Sequence, residues 1–519
     1  MSKLVENAAG KFVPDVVNGC DFLPFQGVGK HIPGGRRYAP PLRSCAQYPA
    51  DGNKLSGSLI DALRRAGLRN GMTISSHHHF RDGDLLMAQV FAAAEALGVR
   101  DLIWQPTATF PCHAHFTKHL QSGLLHHIEG SLNGPLGRFA SQGKMAGVSV
   151  LRSHGGRYRA IQDGDAHVDI AVIAAPSADP FGNASGVLGP SACGPLGFAL
   201  ADSQYADHVI VATDNLVAFP CYPWHIQGNH VDQVVLLDRI GDPSRIVSGT
   251  TQLTRSPDHL LIADYAARFV AESGIMRNGF SFQAGAGGIS LAFTVFLRDL
   301  MRQAGVKARF IRGGSTRYLV EMLESGLTDY ILDGQSFDLE GVRSLRDHPA
   351  HLDTSPFTSY NYHGKGNFAG LVDCVVLGAT EVDLDFNANV VTHSDGVIHH
   401  GIGGWQDTLF ARCTILTVPS FRDRVPIIRE RVTTLCGPGE LIDVVVTERG
   451  IAINPRRTDL LAALSASSLP LRTLAELKSE AEAICGGAPE APTLSDRIVS
   501  VVTWVDGTLL DVIRQVENS

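Results

Sequence analysis

The sequence predicts an α/β protein made of two homologous halves, each built on a mostly parallel β-sheet, with an N-terminal arm and a C-terminal β-hairpin. Three observations predict this class. The chain has 519 residues, too many for one hydrophobic core. An internal repeat relates its two halves. Strand-type apolar runs alternate with helical segments in each half, a pattern typical of parallel sheets covered by helices. We place the arm at residues 1–54, the first domain at 55–265 and the second at 266–519.

The arm is rich in glycine and proline, as in the stretch HIPGGRRYAPPLR at residues 31–43. Such a composition favours turns and extended backbone over helices or central strands. We therefore expect the arm to wrap around the first domain rather than to fold alone.

The repeat is clearest between residues 69–128 and 277–331. Both segments begin Arg-Asn-Gly and continue with a β-rich run, a loop, an amphipathic helix, Gly-Val and a second apolar run. Both then enter a helix that ends in Ser-Gly-Leu. A second pair of segments, 168–183 and 372–387, aligns Asp169 with Asp373, Asp179 with Asp383 and Asn183 with Asn387.

The last element is RIVSVVTWVDGTLLDVIRQV at residues 497–516, which alternates with a period of two around Asp506-Gly507. Alternation on both sides of an Asp-Gly pair predicts a β-hairpin with a type I′ turn.

Composition excludes several classes of function. The net charge is −8 and no long basic run occurs, so nucleic acid is not expected as a partner. The nine cysteines are spread singly without a CxxC pair, which indicates a reducing compartment. We find neither an export signal nor a run of 18 apolar residues, and therefore expect a cytoplasmic protein with no membrane span.

Three consecutive histidines lie in TISSHHHFRDGD at residues 73–84. The repeat aligns His77, His78 and His79 with Gly285, Ala286 and Gly287 of FQAGAGGIS. Each loop follows a strand and precedes a helix, the place where open α/β sheets bind ligands. Helix N-termini bind anions, glycines let a backbone approach them, and imidazoles add donors of their own. The pattern favours an anion or carboxylate site.

Other interpretations compete with an anion site. Three adjacent histidines rarely converge on one ion, so we expect no metal, although a metal site remains an alternative. A buried loop with satisfied imidazoles is another. GAGGIS also approaches a dinucleotide fingerprint, but no acidic residue ends the next run, ARFIRGG, to hold a ribose.

A family resemblance rests on five motifs taken together. TISSHHHFRDGD, FSFQAGAGGISLA, FIRGGST, DGQSFD and FNANVVTHSDG…GIGGWQDT resemble those of the citrate lyase α subunit, from about residue 35 to the C-terminus. That family belongs to the CoA-transferase-like superfamily, so the resemblance implies two CoA-transferase-like domains that face a shared cleft.

The resemblance implies a citrate CoA-transferase. In the implied reaction a citrate carboxylate attacks the acetyl thioester of an acyl carrier protein, acetate leaves, and a citryl thioester forms. The implied partners are this carrier (γ) subunit, a lyase (β) subunit that cleaves the citryl group, and citrate. The thioester is carried on a phosphoribosyl-dephospho-CoA arm of the carrier, so we expect no tightly bound cofactor and expect acetyl-CoA to act as a surrogate. An oligomer is also expected.

Many members of the superfamily use a glutamate nucleophile just after the strand that follows the QxGxG loop. Here that place reads FIRGGSTRYL, with no carboxylate. The resemblance therefore implies direct attack by the substrate carboxylate, which relies on orienting two substrates and on stabilising an oxyanion. The predicted catalytic residues are Gly403, Gly404, Gly313, Gly314 and Ser315.

The remaining predicted residues divide between the two substrates. For the carboxylates of citrate we select His77, His78, His79, Arg81, Arg312 and Arg317. For the thioester we select Gln283, Gly285, Gly287, Gly288, Asn387 and Asn389, although the two asparagines would serve equally in a turn. Glu321, Glu324 and Glu381 are the runner-up carboxylates, the first two on a solvent-facing helix side.

Three other functions stay open. One is an acetyl-CoA hydrolase or transferase with a glutamate nucleophile. A second is the α subunit of citramalate lyase or malonate decarboxylase, which differs mainly in the acid. The third is a non-catalytic subunit that binds thioesters or carriers.

Overall fold

The structure is a computed structural model, and it describes residues 3–31, 49, 51–247 and 252–517. Apart from His31, the glycine- and proline-rich stretch of the predicted arm lies outside the described residues, as does Cys45. The remaining eight cysteines are all free thiols.

Strands occur along the whole described chain. The arm contains β1 (Leu4–Glu6), β2 (Phe12–Pro14), β3 (Val16–Val17) and β4 (Cys20–Asp21). The first half contains β5 (Leu55–Ser56), β6 (Thr73–Ser76), β7 (Leu102–Pro106), β8 (Leu125–Ile128), β9 (Ser149–Leu151), β10 (Ile170–Ala174), β11 (Ser177–Ala178), β12 (Ala184–Ser185), β13 (His208–Thr213) and β14 (Gln233–Leu236). The rest of the chain contains β15 (Ser281–Ala284), β16 (Ala308–Ser315), β17 (Thr328–Ser336), β18 (His351–Asp353), β19 (Cys374–Leu377), β20 (Glu381–Asp383), β21 (Ala388–Asn389), β22 (Thr414–Thr417), β23 (Phe421–Arg422), β24 (Val425–Pro426), β25 (Ile428–Arg429), β26 (Val444–Thr447), β27 (Gly450–Ile453), β28 (Leu494–Thr503) and β29 (Leu509–Val516).

Helices alternate with these strands. They are α1 (Leu59–Arg65), α2 (Leu86–Ala96), α3 (Thr117–Ser122), α4 (Gly134–Ser141), α5 (His154–Asp163), α6 (Leu200–Tyr205), α7 (Pro257–Glu272), α8 (Gly288–Ala304), α9 (Arg317–Glu324), α10 (Leu339–Asp347), α11 (Pro356–Tyr360), α12 (Trp405–Thr408), α13 (Thr458–Ala463) and α14 (Leu474–Cys485). Of these described helices, none is long and apolar enough to cross a membrane.

The two large sheets have the same strand order. The first runs β5-β14-β13-β10-β6-β7-β8, and all its pairs are parallel. The second runs β18-β17-β16-β15-β19-β22-β26-β27, parallel except for β27 at one edge. The order β14-β13-β10-β6-β7-β8 thus repeats as β26-β22-β19-β15-β16-β17. This match confirms the predicted α/β class and its two related halves.

The duplication extends to single hydrogen bonds. The Asp169 carboxylate accepts the N–H of Thr73 at 2.7 Å, at the start of β6. The aligned Asp373 accepts the N–H of Ser281 at 2.9 Å, at the start of β15. The predicted pairing of these two aspartates is therefore confirmed.

Apolar burial joins the two halves. All five residues of Ile170–Ala174 are buried, as expected for a parallel strand covered on both faces. One large cluster of buried apolar side chains includes Ile74 and Ile173 of the first sheet together with Val375 and Leu416 of the second. The halves are consequently packed against each other.

The C-terminal hairpin forms, but its turn differs from the prediction. Strands β28 and β29 pair antiparallel, and β28 also pairs in parallel with β9 of the first half. A type I′ turn needs positive φ at both central residues, yet only Gly507 has it, at +93°. The Asp506 carboxylate instead accepts the N–H of Thr508 at 3.0 Å. The loop is wider than a two-residue turn, and it is closed by a hydrogen bond from the Trp504 N–H to the Thr508 carbonyl. The arm packs on this hairpin, since the Asn7 amide donates to the Leu509 carbonyl at 3.0 Å.

Candidate active site

The three histidines lie where the sequence predicted, in the loop that follows the inner strand β6. A short 3-10 helix, Arg81–Gly83, separates them from α2, and all three imidazoles are buried. We call residues 77–79 the histidine loop. The aligned loop 285–287 follows β15 and leads directly into α8.

His77 faces a buried ion pair. Its Nε2 lies 3.1 Å from Oδ2 of Asp202 on α6, off the direct line of a hydrogen bond. Both carboxylate oxygens of Asp202 accept from Arg157 on α5, at 2.6 and 2.8 Å. Burial alone would raise the pKa of Asp202, but Arg157, through its charge and its two hydrogen bonds, and the nearby His77 hold it well below its usual range. Asp202 is therefore an ionised carboxylate.

His78 is fixed by a hydrogen bond to Thr107 and by contacts with neighbouring aromatic rings. Its main-chain N–H donates to the Thr107 hydroxyl at 3.0 Å, and its Nδ1 lies 2.5 Å from the same oxygen. Its ring stacks on His154 with 4.9 Å between centroids and contacts Phe198 at 4.6 Å. Burial, with the neighbouring positive groups, lowers the pKa of His78 well below its usual value. Burial likewise lowers the pKa of His154 to about 3.

The ring of His79 makes no hydrogen bond to any residue that the structure describes. It is 1% exposed, and neither Nδ1 nor Nε2 has a hydrogen-bond partner among the described residues. Burial and the nearby His77 and His225 lower its pKa well below the usual value. His78 and His79 are therefore neutral near pH 7, so they would bind a citrate carboxylate as hydrogen-bond donors and not as cations. Each still has one N–H to donate.

The metal alternative is not supported for this loop. Among the described residues, three donor atoms from His, Cys, Asp or Glu come within 4.8 Å of one another only at His167, Asp169 and Asp207. That group is partly exposed and surrounds the N-terminal ends of β10 and β13, the opposite edge of the sheet from the histidine loop.

Arg81 supplies a buried cation at the end of the histidine loop. It has a positive φ of +52° and is 6% exposed. Its guanidinium lies over the rings of Phe337, at 4.6 Å, and Phe110, at 5.3 Å. Burial lowers the pKa of Arg81 to about 10, so it remains charged at neutral pH.

Arg312 supplies a second cation from the other half. It lies on β16, is 1% exposed, and donates from one terminal nitrogen to Gln283 Oε1 at 2.6 Å. Its guanidinium stacks over the Tyr360 ring at 4.7 Å. No carboxylate of the described residues lies within ion-pair distance of it, so its charge has no direct counter-ion. The sequence selected both Arg312 and Gln283.

Asp407 was missed by the sequence analysis, although it lies inside the quoted GIGGWQDT motif. Its carboxylate accepts the Ser153 hydroxyl at 2.7 Å and the Gly155 N–H at 3.0 Å, across 250 residues of chain. Burial raises its pKa to about 7, opposed by these hydrogen bonds and by the charge of Arg312. The hydrogen bonds of Asp407 hold the glycine loop of the second half against the start of α5.

The SHGG segment at 153–156 was also missed. Like the histidine loop it follows a strand and opens a helix, a signal that the search for glycine loops after strands should have included. Its His154 N–H donates to the Gly403 carbonyl at 2.8 Å. The predicted pair Gly403 and Gly404 therefore does adjoin the histidine loop, through His154.

The other predicted glycines differ in their surroundings and in whether their N–H groups are available to a ligand. The N–H of Gly285 already donates to the Val376 carbonyl at 3.0 Å, so it is not available to a ligand. Gly287 and Gly288 cap and open α8, where first-turn N–H groups have no partner within the helix. Gly313 has a φ of +114°, and a side chain at Gly314 would overlap the Phe337 ring.

Several predicted side chains are engaged elsewhere. Ser315 donates its hydroxyl to Asp333 at 2.6 Å. Arg317 is exposed on α9 and contacts Tyr318, away from the histidine loop. The amide of Asn389 uses both of its ends, with Glu381, Thr392 and two main-chain N–H groups as partners.

Asn387 occupies a repeated turn. Its amide donates to Asp383 at 3.2 Å and its oxygen accepts the Gly439 N–H at 2.9 Å. Asn183 makes the same two contacts, with Asp179 and Gly228. The turn interpretation therefore accounts for Asn387 without a ligand.

The runner-up carboxylates are all paired. Glu381 is fully buried and accepts from Arg429 at 2.8 Å and from the Thr433 N–H at 2.7 Å. Glu321 and Glu324 form exposed ion pairs with Arg298 and Arg343, on the solvent side as expected.

Comparisons with known proteins agree with this geometry. A family model described as "Citrate lyase, alpha subunit" matches residues 52–516. The citrate lyase alpha chain of Klebsiella pneumoniae is 43% identical over 468 residues, covering 90% of this chain and 92% of that protein. The corresponding chain of Escherichia coli strain K12 is 39% identical, covering 92% and 94%.

Solved structures show the same relationship. One of an alpha subunit of citrate lyase from Streptococcus mutans, in complex with citrate, has 40% identity and a TM-score of 0.90, covering 96% of this chain and 97% of that one. A Pseudomonas malonate decarboxylase hetero-tetramer has 19% identity and a TM-score of 0.58 over 84% of this chain and 85% of that one, which shows a shared fold. The chain therefore belongs to the citrate lyase alpha subunit family.

Proposed function

We propose that this protein is an acyl-thioester transferase. It converts acetyl thioester and citrate into citryl thioester and acetate, by direct attack of a citrate carboxylate on the acetyl thioester. A citrate oxygen forms a bond to the acetyl carbon, and the C–S bond breaks to release a thiolate. The thiolate then attacks the citryl carbonyl of the mixed anhydride, and acetate leaves. No proton is gained or lost overall.

The observation that carries this proposal is a set of buried donors without partners where the two halves meet. Both nitrogens of His79 and the Nε of Arg312 lack hydrogen-bond partners among the described residues. A buried unsatisfied polar group costs about 1–3 kcal/mol, so such a group implies a missing partner. A multiply charged acid would satisfy these donors and neutralise Arg312.

The absence of a free glutamate among the described residues of this interior supports direct attack. Glu381, the runner-up nucleophile, is enclosed by Arg429 and Thr433. Asp407 interacts electrostatically with Arg312, but both of its oxygens accept hydrogen bonds from the first half. A covalent enzyme intermediate would have to break one of these contacts.

The thioester would lie on the side of Gln283 and the α8 N-terminus. An oxyanion donor would come from the main-chain N–H group of Gly404, since that of Gly403, which adjoins His154, already donates to the Ser131 hydroxyl at 3.4 Å. The thioester itself would arrive on an acyl carrier subunit, and a lyase subunit would consume the citryl product. The relatives bear the names of citrate lyase chains, which supports partners of this kind and action in a larger assembly. The free cysteines fit a reducing cytoplasm.

The test is an exchange assay on the purified chain with acetyl-CoA and citrate, read by mass spectrometry. Citryl-CoA together with free acetate is the expected result. Exchange onto citramalate or malonate without citryl-CoA would move the protein to a neighbouring specificity. Hydrolysis alone would overturn the transferase proposal.

The mechanism needs a separate experiment. The protein is incubated with acetyl-CoA alone, treated with hydroxylamine or borohydride, and digested for peptide mapping. Direct attack predicts no modified carboxylate. A labelled Asp407 or Glu381 peptide would establish a covalent intermediate instead.

A further inference from the structure

His77 differs from its two neighbours because it faces a fixed anion. Asp202 is fully buried, and both of its oxygens accept from Arg157. The charges around Asp202 hold its pKa well below the usual range, so it accepts protons in hydrogen bonds and never donates one. The His77 nitrogen that faces it at 3.1 Å is Nε2, so Asp202 favours a proton on that nitrogen over one on Nδ1.

The other nitrogen of His77 is left for a ligand. Both ring nitrogens are buried without a hydrogen bond of good geometry to the described residues, and Nε2 is the one that lies 3.1 Å from Asp202, which leaves Nδ1 for the ligand. A substrate carboxylate can only accept hydrogen bonds, so it would bind Nδ1 when that atom also carries a proton. The carboxylate of Asp202 stabilises that doubly protonated ring from the opposite side.

We propose that Asp202, held by Arg157, is a positioning residue that orients His77 so that its Nδ1–H binds a carboxylate of the substrate acid. This inference rests on the proposed function, which supplies the acid. It predicts that binding of the acid takes up a proton, because the second proton of His77 arrives with the ligand.

A second group in the same half has a similar construction and no free nitrogen, since the Asn18 amide nitrogen also lies 3.1 Å from His127 Nε2. Glu129 is buried between Arg152, at 2.7 Å, and Nε2 of His127, at 3.3 Å. Nδ1 of His127, however, lies 2.9 Å from a nitrogen of His126. A merely structural Arg–carboxylate–His group would look like this one. The difference at Nδ1 is what points to a ligand at His77.

The experiment compares wild type with His77→Gln, Asp202→Asn and the matched control Glu129→Gln. Citrate binding is measured by calorimetry near pH 8 in two buffers of different ionisation enthalpy, which gives the number of protons taken up. Histidine-selective ¹⁵N NMR reports which ring nitrogens carry protons. His77→Gln keeps the Asp202–Arg157 pair, so it remains informative if Asp202→Asn folds poorly.

We expect wild type and Glu129→Gln to bind citrate alike, with net proton uptake. His77→Gln and Asp202→Asn should bind at least about tenfold more weakly, without that uptake, and should raise KM more than they lower kcat. In unliganded wild type, the His77 signal should show a proton on Nε2. In Asp202→Asn it should show a mixture of the two neutral forms.

Two results would overturn the inference. One is a His77 signal unchanged by Asp202→Asn. The other is equal weakening of citrate binding by Glu129→Gln. The NMR result does not depend on turnover, so it stands even if wild type makes no citryl-CoA. That failure would count against the proposed function alone.

Discussion

Gln335 donates a hydrogen bond of 2.9 Å from its Nε2 to the main-chain carbonyl oxygen of His78. The donor lies at the end of β17 in the second half, and the acceptor lies in the histidine loop of the first. The bond links the histidine loop to the sheet of the second half, in the region of the buried donors that have no hydrogen-bond partner among the described residues. The position of the histidines thus depends on how the halves are docked.

Replacing Gln335 tests this link. Gln335→Glu should weaken the docking more than Gln335→Ala, because a carboxylate oxygen would face the His78 carbonyl oxygen without a proton to share. We expect a loss of about 1–2 kcal/mol in the free energy of unfolding and a higher KM for citrate. Thermal unfolding and the exchange assay measure the two effects.

The control for Gln335 is Gln515→Glu, which removes a similar side-chain to main-chain bond, 3.2 Å to the Gln142 carbonyl, in the C-terminal hairpin. It should leave the KM for citrate unchanged. A rise in KM for the control as large as for Gln335→Glu would remove the special role of the Gln335 bond.

Arg312 and Arg317 form a matched pair, since the sequence predicted both as ligands of citrate. Arg312 is buried over Tyr360, whereas Arg317 is exposed on α9. Arg312→Lys should raise the KM for citrate about tenfold, because lysine loses the planar fork and the ring contact. Arg317→Lys should change it less than about twofold. Steady-state kinetics with varied citrate decides, and similar effects of both variants would contradict the assignment.

Asp407 predicts an unusual dependence of stability on pH. Burial raises its pKa in the folded protein to about 7, above the unfolded value. The folded state therefore holds more protons between roughly pH 4 and 7, so this group's contribution to stability is present at low pH and lost as pH rises through 7.

The variant Asp407→Asn has no charge to lose. Relative to wild type it should gain at least about 1 kcal/mol of stability between pH 5 and 8. Thermal unfolding of both proteins across this range measures the difference. A constant difference in melting temperature would show that Asp407 stays ionised.

The variant Glu381→Gln tests whether Glu381 stabilises the fold or acts as a nucleophile. The carboxylate neutralises buried Arg429, and breaking a buried pair costs about 3–5 kcal/mol. We expect a large drop in melting temperature, while folded protein assayed at low temperature keeps its kcat. A stable but inactive variant would instead identify Glu381 as a nucleophile.

Sequence reasoning succeeded where function follows from local periodicity or from the repeat. The alternation of strands with helices, the loop after β6 and the aligned aspartates Asp169 and Asp373 could all be read from spacing. It failed for partners that come from distant segments. Nothing in the local pattern around Asp202 or Asp407 says that one faces His77 and the other clamps Gly155.

By itself, the sequence determined that this chain folds as two related α/β halves with a histidine loop and glycine loops at their strand ends. The physical reason is that hydrophobic period and glycine placement act within a few residues. Only the tertiary structure decided the charge of each group. Burial makes His78 and His79 neutral, and the folding of the second half surrounds Arg312 with an amide and a ring instead of a carboxylate. Charge in a protein interior depends on solvent exclusion and on neighbours brought together by folding, and neither is a property of local sequence.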